Sequence, residues 1–86
     1  MSAPTIREIA ERVATEHGLT LAVVLGRSKV IPIARARQEA MHACWAEHRW
    51  SLTRIGTVFK RHHTTVLHAA RKIEAEPKPL DLDTAA

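Results

Sequence analysis

The sequence holds one cysteine, Cys44, so no disulfide can form within the chain, and the composition reads as that of a cytoplasmic protein of a reducing compartment. It holds no apolar run near the ~18–20 residues needed to cross a bilayer, which excludes a membrane-spanning helix. No leader pattern is present: Met1-Ser2-Ala3-Pro4 passes straight into a charged amphipathic segment and reads as a natural start. There is no Cys pair and no HExxH run. The i, i+4 pair Cys44 and His48 leaves a zinc site two ligands short, so neither a metal nor another cofactor is expected. No nucleophile–base pair or carboxylate pair stands out, and 86 residues leave no room for a deep pocket, which argues against an enzyme. Strand-like alternation and internal repeats are missing as well.

What is present suits one small domain. A hydrophobic content of 45% supplies a single core, and chains of this length do not divide into two. The charge is unevenly spread. Residues 27–72 carry ten Lys or Arg (Arg27, Lys29, Arg35, Arg37, Arg49, Arg54, Lys60, Arg61, Arg71 and Lys72) against two acids, Glu39 and Glu47, a net of +8. The remainder of the chain is acidic. A local excess of this kind is the footprint of a surface that binds a polyanion.

Five helices are predicted. Thr5-x-x-Glu8 reads as a capping box, followed by Ile6, Ile9, Ala10 and Val13 on one stripe as far as about His17, with Gly18 as a left-handed stop. Thr20 caps a short second helix with Leu21, Val24 and Leu25, closed by Gly26, and 27–31 form a basic loop. Pro32 suits the first position of a third helix running to about His48 or Arg49, with Ile33, Ala36, Ala40, Met41 and Cys44 inward and Arg35, Gln38, Glu39 and His42 outward. Ser51 caps a fourth helix that buries Leu52, Ile55, Val58 and Phe59. After the turn Lys60-Arg61-His62-His63, Thr64 caps a fifth with Val66, Leu67, Ala70 and Ile73 inside, and Pro77 ends it. Residues 1–76 make the domain, and 77–86 are expected to be a disordered tail.

Two short amphipathic helices joined by a tight turn, at about 52–76 of an all-α basic domain, fit a helix-turn-helix whose second helix enters the major groove of duplex DNA. On that helix Thr64, Thr65, His68, Arg71 and Lys72 face away from the core stripe, and His62 and His63 stand at its start. Unpaired N–H groups and the positive dipole end make a helix start attractive to phosphate. His62, His63, Thr64, Thr65 and His68 are the candidate base readers. Arg27, Lys29, Arg35, Arg37, Lys60, Arg61, Arg71 and Lys72 are the candidate phosphate contacts, which set affinity and register.

From Arg35 to Glu76, and above all along His63-Thr64-Thr65-Val66-Leu67-His68-Ala69-Ala70-Arg71-Lys72-Ile73-Glu74, the sequence resembles the C-terminal DNA-binding domain (domain IV) of the bacterial chromosomal replication initiator DnaA. Arg35-Ala36-Arg37-Gln38, Ser51-Leu52 and Ile55-Gly56 support the resemblance. It implies a fold related to the Trp repressor and binding to duplex sites of the DnaA-box type. Three departures stand out. His62 occupies the position where the family's Asp-His-Thr-Thr run has Asp, in a turn one residue shorter than the common glycine-containing form, and replaces an acceptor-only carboxylate by imidazole. Ile31 falls where the family places an arginine that reaches the minor groove. The family's nucleotide-binding module is missing, with no GxxxxGK[ST] phosphate loop.

The resemblance implies a nucleoid-associated DNA-binding protein. With the nucleotide-binding module missing, it is expected to stand alone and to regulate replication initiation or transcription without ATPase activity, and, since no heptad or broad apolar edge remains once the core is assigned, as a monomer. The alternative is a protein-interaction module that uses the third-helix surface around Trp45 and Glu47 to bind a replication or transcription partner.

Overall fold

A computed structural model describes residues 4–76. It contains α1 (Ile6–Glu16), α2 (Leu21–Leu25), α3 (Ile31–His42), a π-helical turn (Ala43–Glu47) that prolongs α3, α4 (Leu52–Phe59) and α5 (His63–Ala75). Every regular element among the described residues is helical, as the periodicity predicts. The tail expected from 77 onward lies outside the described residues.

The helix boundaries follow from local hydrogen bonding. Thr5 Oγ1 accepts the Glu8 N–H at 3.1 Å, and Glu8 Oε1 accepts the Thr5 N–H at 2.7 Å. This reciprocal pair starts α1 and holds the Glu8 carboxyl below the usual carboxylate range. The other end closes as a Schellman turn: Leu19 N–H donates to Ala14 O at 2.8 Å and Gly18 N–H to Thr15 O at 3.0 Å, with Gly18 left-handed at φ 71°. Thr20 and Ser51 cap α2 and α4 through their hydroxyls. Helix α3 starts one residue earlier than predicted, at Ile31, with Pro32 in its first turn, where a missing N–H leaves no intrahelical bond unmade.

The rod predicted to reach His48 or Arg49 changes pitch at Ala43. His48 N–H reaches back to Ala43 O at 3.2 Å, Trp50 N–H reaches Cys44 O at 2.9 Å, and Arg49 takes the left-handed conformation at φ 60°. Trp50 then packs, half-buried, against the core, with Nε1 donating to Pro4 O at 3.1 Å, which ties residue 4 to the middle of the chain.

Phe59, Ile9, Met41, Ile55, Val24, Val66 and Cys44 are the largest fully buried side chains. They come from every element, with α3 central and packed against α1, α2 and α5. Ile33, Val58, Leu67 and Ile73, expected inside, are half-buried at the rim. Cys44 sits in the core with Sγ 3.9 Å from Ile6 O, and burial pushes its thiol pKa up to about 12.

Candidate nucleic-acid interface

Helix α5 packs on α3 and α4 through Val66 and Ala70 and leaves its opposite face open. Thr64, Thr65, His68, Arg71 and Lys72 are all exposed on that face, as are His62 and His63 at its start. The α4–α5 turn is held from within: Arg61 N–H donates to Gly56 O at 2.8 Å. A side chain at Gly56 would run into the Arg61 carbonyl oxygen, so glycine is what lets the turn lie against α4. Lys60 is left-handed at φ 57°, which supplies the sharp change of direction without a glycine.

The cap of α5 differs from the expectation. His62, not Thr64, is the cap: its Nδ1 accepts the Thr64 N–H at 3.2 Å and lies 2.7 Å from Thr64 Oγ1, while Thr64 occupies the second helical position. Sequence rules favour Ser, Thr, Asp and Asn at this place. An unprotonated imidazole nitrogen has the same acceptor chemistry, and no rule of spacing announces it. The His63 ring lies beside that of His62, with centroids 4.2 Å apart.

The basic loop borders this face. Arg27, Lys29, Lys60 and Arg61 line a shallow groove of about 250 Å³ between the loop and the turn. None of the four has a carboxylate partner among the described residues. A second hollow, lined by Lys29, Ile31, Ala34, Arg35, Gln38 and Lys72, joins the loop to the outer face of α5. Ile31 is 81% exposed there and Val30 59%. The surface thus runs from the loop across the turn and along α5, with cations beside a row of hydroxyl and imidazole groups.

Three of the predicted phosphate contacts are placed differently. Arg37 is only 7% exposed, with Nε donating to Val24 O at 2.8 Å and Nη1 to Ser28 O at 3.0 Å. It bonds one carbonyl in the last turn of α2, Val24 O, and one in the basic loop, Ser28 O, so it ties the loop to α2 from a buried position. Arg35 is paired with Glu39 at 3.2 Å and with Glu76, and Glu39 also meets His17 Nε2 at 2.9 Å. Its charge is thereby largely neutralised. Arg61 divides its guanidinium between Phe59 O at 2.8 Å and Gly26 O at 3.1 Å, linking the turn to the loop while staying part-exposed. Charge counting cannot separate these brackets from free cations, because backbone carbonyls attract arginine as phosphates do.

The third-helix surface around Trp45 is partly open, with Glu47 exposed. Trp45 is half-buried against the core within the π-helical turn, and Glu47 lies 3.9 Å from Arg12. Trp45 and Trp50 flank a separate shallow cleft with Arg49, Leu52 and Glu74.

A three-residue turn, packed on the preceding helix through a required glycine and feeding a helix with an exposed polar, cationic face, defines a helix-turn-helix protein. The chain belongs to the bacterial dnaA protein helix-turn-helix family, whose model it matches over residues 6–73. It is similar to the chromosomal replication initiator protein DnaA of Cereibacter sphaeroides, with 41% identity over 71 residues that cover 81% of this chain and 16% of the relative. Similar likenesses hold to the DnaA of Spiroplasma citri, 36% identical over 72 residues (83% of this chain, 16% of the relative). The DnaA of a Ruegeria species is 37% identical over 78 residues (90% and 16%). The chain therefore spans about a sixth of the length of these relatives. No helix among the described residues is long and apolar enough to cross a membrane.

Proposed function

We propose that this chain binds duplex DNA sequence-specifically, with α5 lying in the major groove. The observation that carries the reading is the continuity of two surfaces: the groove of Arg27, Lys29, Lys60 and Arg61 shares Lys29 with a hollow that reaches Lys72, which stands on α5 with the exposed residues Thr64, Thr65, His68 and Arg71. The cations are suited to phosphates and fix register, and the hydroxyl and imidazole groups are suited to base edges. Membership of the DnaA helix-turn-helix family makes sites of the DnaA-box type, and a role in replication initiation, the expected setting. The sequence contains no phosphate loop, so any nucleotide-driven step has to be supplied by another module. On this reading the protein works in the cytoplasm as an occupant of such sites, in replication or transcription.

Fluorescence anisotropy with labelled duplexes tests it, using one duplex that holds a DnaA-box-like site and one with that site scrambled, at low and physiological salt. Preference for the box that persists at physiological salt is expected. Thr64→Ala should then relax the preference by about 1–3 kcal/mol, while Lys72→Ala should weaken both duplexes alike. Weak, equal binding that vanishes with salt would overturn the reading and move the protein-partner alternative around Trp45 ahead.

A further inference from the structure

The hydrogen bonds at the start of α5 fix which atom of His62 faces a ligand. Both partners of the ring, the Thr64 amide N–H at 3.2 Å and the Thr64 hydroxyl at 2.7 Å, lie on Nδ1. An amide N–H can only donate, so Nδ1 carries its lone pair, and the proton of the neutral ring is on Nε2. His62 is exposed, and its ring lies beside that of His63, which restricts its swing. The cap thus consumes the acceptor side of the imidazole and turns the donor side outward. A carboxylate in the same capping role would do the reverse, since every remaining lone pair on it accepts.

We infer that His62 is a specificity-determining residue that donates through Nε2–H to an acceptor edge in the major groove and discriminates against cytosine at that position. The candidate acceptors are purine N7, guanine O6 and thymine O4, whereas cytosine presents only its N4 amino donor there. The inference rests on the DNA reading proposed above and adds to it the hydrogen-bond sense of one contact. The same geometry makes Thr64 Oγ1 a donor toward Nδ1, so its lone pairs are what it offers outward. The start of α5 then shows a donor and an acceptor side by side.

Selection from a randomised duplex library by the wild type, His62→Asp, His62→Asn and His62→Ala tests this at pH 8, above the range in which free imidazole titrates. Asparagine can cap through Oδ1 and still donate through Nδ2, so it should keep the wild-type consensus. Aspartate caps but can only accept, so at one base pair its relative affinity for cytosine should rise over that of the wild type by about tenfold or more, with the other positions unchanged. Alanine should flatten the preference at that base pair alone, and it carries the test should the Asp variant lose its far-UV helical signal. No gain in affinity for cytosine by folded His62→Asp over the wild type, or an unchanged preference in His62→Ala, overturns the inference while leaving the DNA reading standing. A wild type that selects no consensus overturns both.

Discussion

Replacing Arg37 by alanine separates a residue that holds the interface from one that touches the ligand. Two charge-assisted hydrogen bonds are lost, to Val24 O and to Ser28 O. Bonds of this kind contribute about 1.5–3 kcal/mol each, or roughly 3–6 kcal/mol together. Against them stands the cost of keeping the guanidinium from water with Nη2 unpaired, about 1–3 kcal/mol. Burial, and then the nearby Arg61 charge, both disfavour the protonated form and lower the Arg37 pKa. The difference predicts that Arg37→Ala destabilises the domain by about 2–3 kcal/mol, or roughly 10–20 °C in Tm for a chain of this size.

A surface arginine resting on a phosphate would behave otherwise. Its removal leaves stability within about 0.5 kcal/mol and lowers the slope of log K against log salt by about 0.9. Urea denaturation at constant m-value measures the first quantity, and anisotropy across a salt series, run well below the variant's Tm, measures the second. Arg37→Lys keeps the charge but reaches only one carbonyl, so its stability should fall about midway. A stability change under about 0.5 kcal/mol combined with a salt-slope loss near 0.9 would refute the reasoning and return Arg37 to the phosphate contacts.

Gly56→Ala drives a methyl group into the Arg61 carbonyl oxygen, so the turn has to open. The expected cost is about 1–3 kcal/mol in urea denaturation, with specific binding reduced more than nonspecific, and a neutral result would show that the turn has slack. Ile31 is 81% exposed beside Lys29 and Lys72, so Ile31→Arg should leave stability within about 0.5 kcal/mol. It should also raise DNA affinity and steepen the salt slope by about 0.9, and unchanged binding would place the loop away from the duplex. The Cys44 thiol is raised from 9.0 to about 12, chiefly by burial. Its contribution to stability is therefore intact below about pH 9 and declines as pH rises toward 12, by at most about 1.4 kcal/mol per pH unit. Urea midpoints at pH 8 and pH 10.5 should show that decline in the wild type and a shallower one in Cys44→Ala.

The parts of the fold that were legible in the sequence rest on strongly periodic or chemically specific signals. The Thr5–Glu8 box, Gly18, Thr20 and Ser51 each mark a helix end by a group with one evident partner, and all four act as expected. The stripe of Ile6, Ile9, Ala10 and Val13 is buried to the last residue. Less legible were ends made without the favoured residue types. Arg49 and Lys60 take left-handed conformations that composition assigns to glycine, and His62 caps α5 with an imidazole nitrogen. At the interface the exposed row on α5 was readable because 3.6-residue periodicity separates it from Val66 and Ala70. The roles of Arg35, Arg37 and Arg61 were not, because each is decided by a carbonyl or carboxylate distant in sequence or across a turn, such as Gly26 O for Arg61 or Glu76 for Arg35.

That redistribution of arginines changes the expected electrostatics of binding by an amount that can be measured. Eight cations are candidate phosphate contacts by sequence, and if each neutralised one phosphate the slope of log K against log salt would be about −7. In the structure Arg37 is buried, Arg35 is paired with two carboxylates, and Arg61 has its donors on Phe59 O and Gly26 O. Arg27, Lys29, Lys60, Arg71 and Lys72 remain, exposed and without a carboxylate partner among the described residues. Five contacts predict a slope near −4.5, and Lys72→Ala should bring it to about −3.6. Anisotropy titrations over a salt series resolve a difference of this size. A wild-type slope near −7 would mean that Arg35, Arg37 and Arg61 all exchange their intramolecular partners for phosphates on binding, and that the basic loop is rebuilt when DNA arrives. A slope near −4.5 would mean that the surface meets the duplex as it stands, with three arginines kept as its frame.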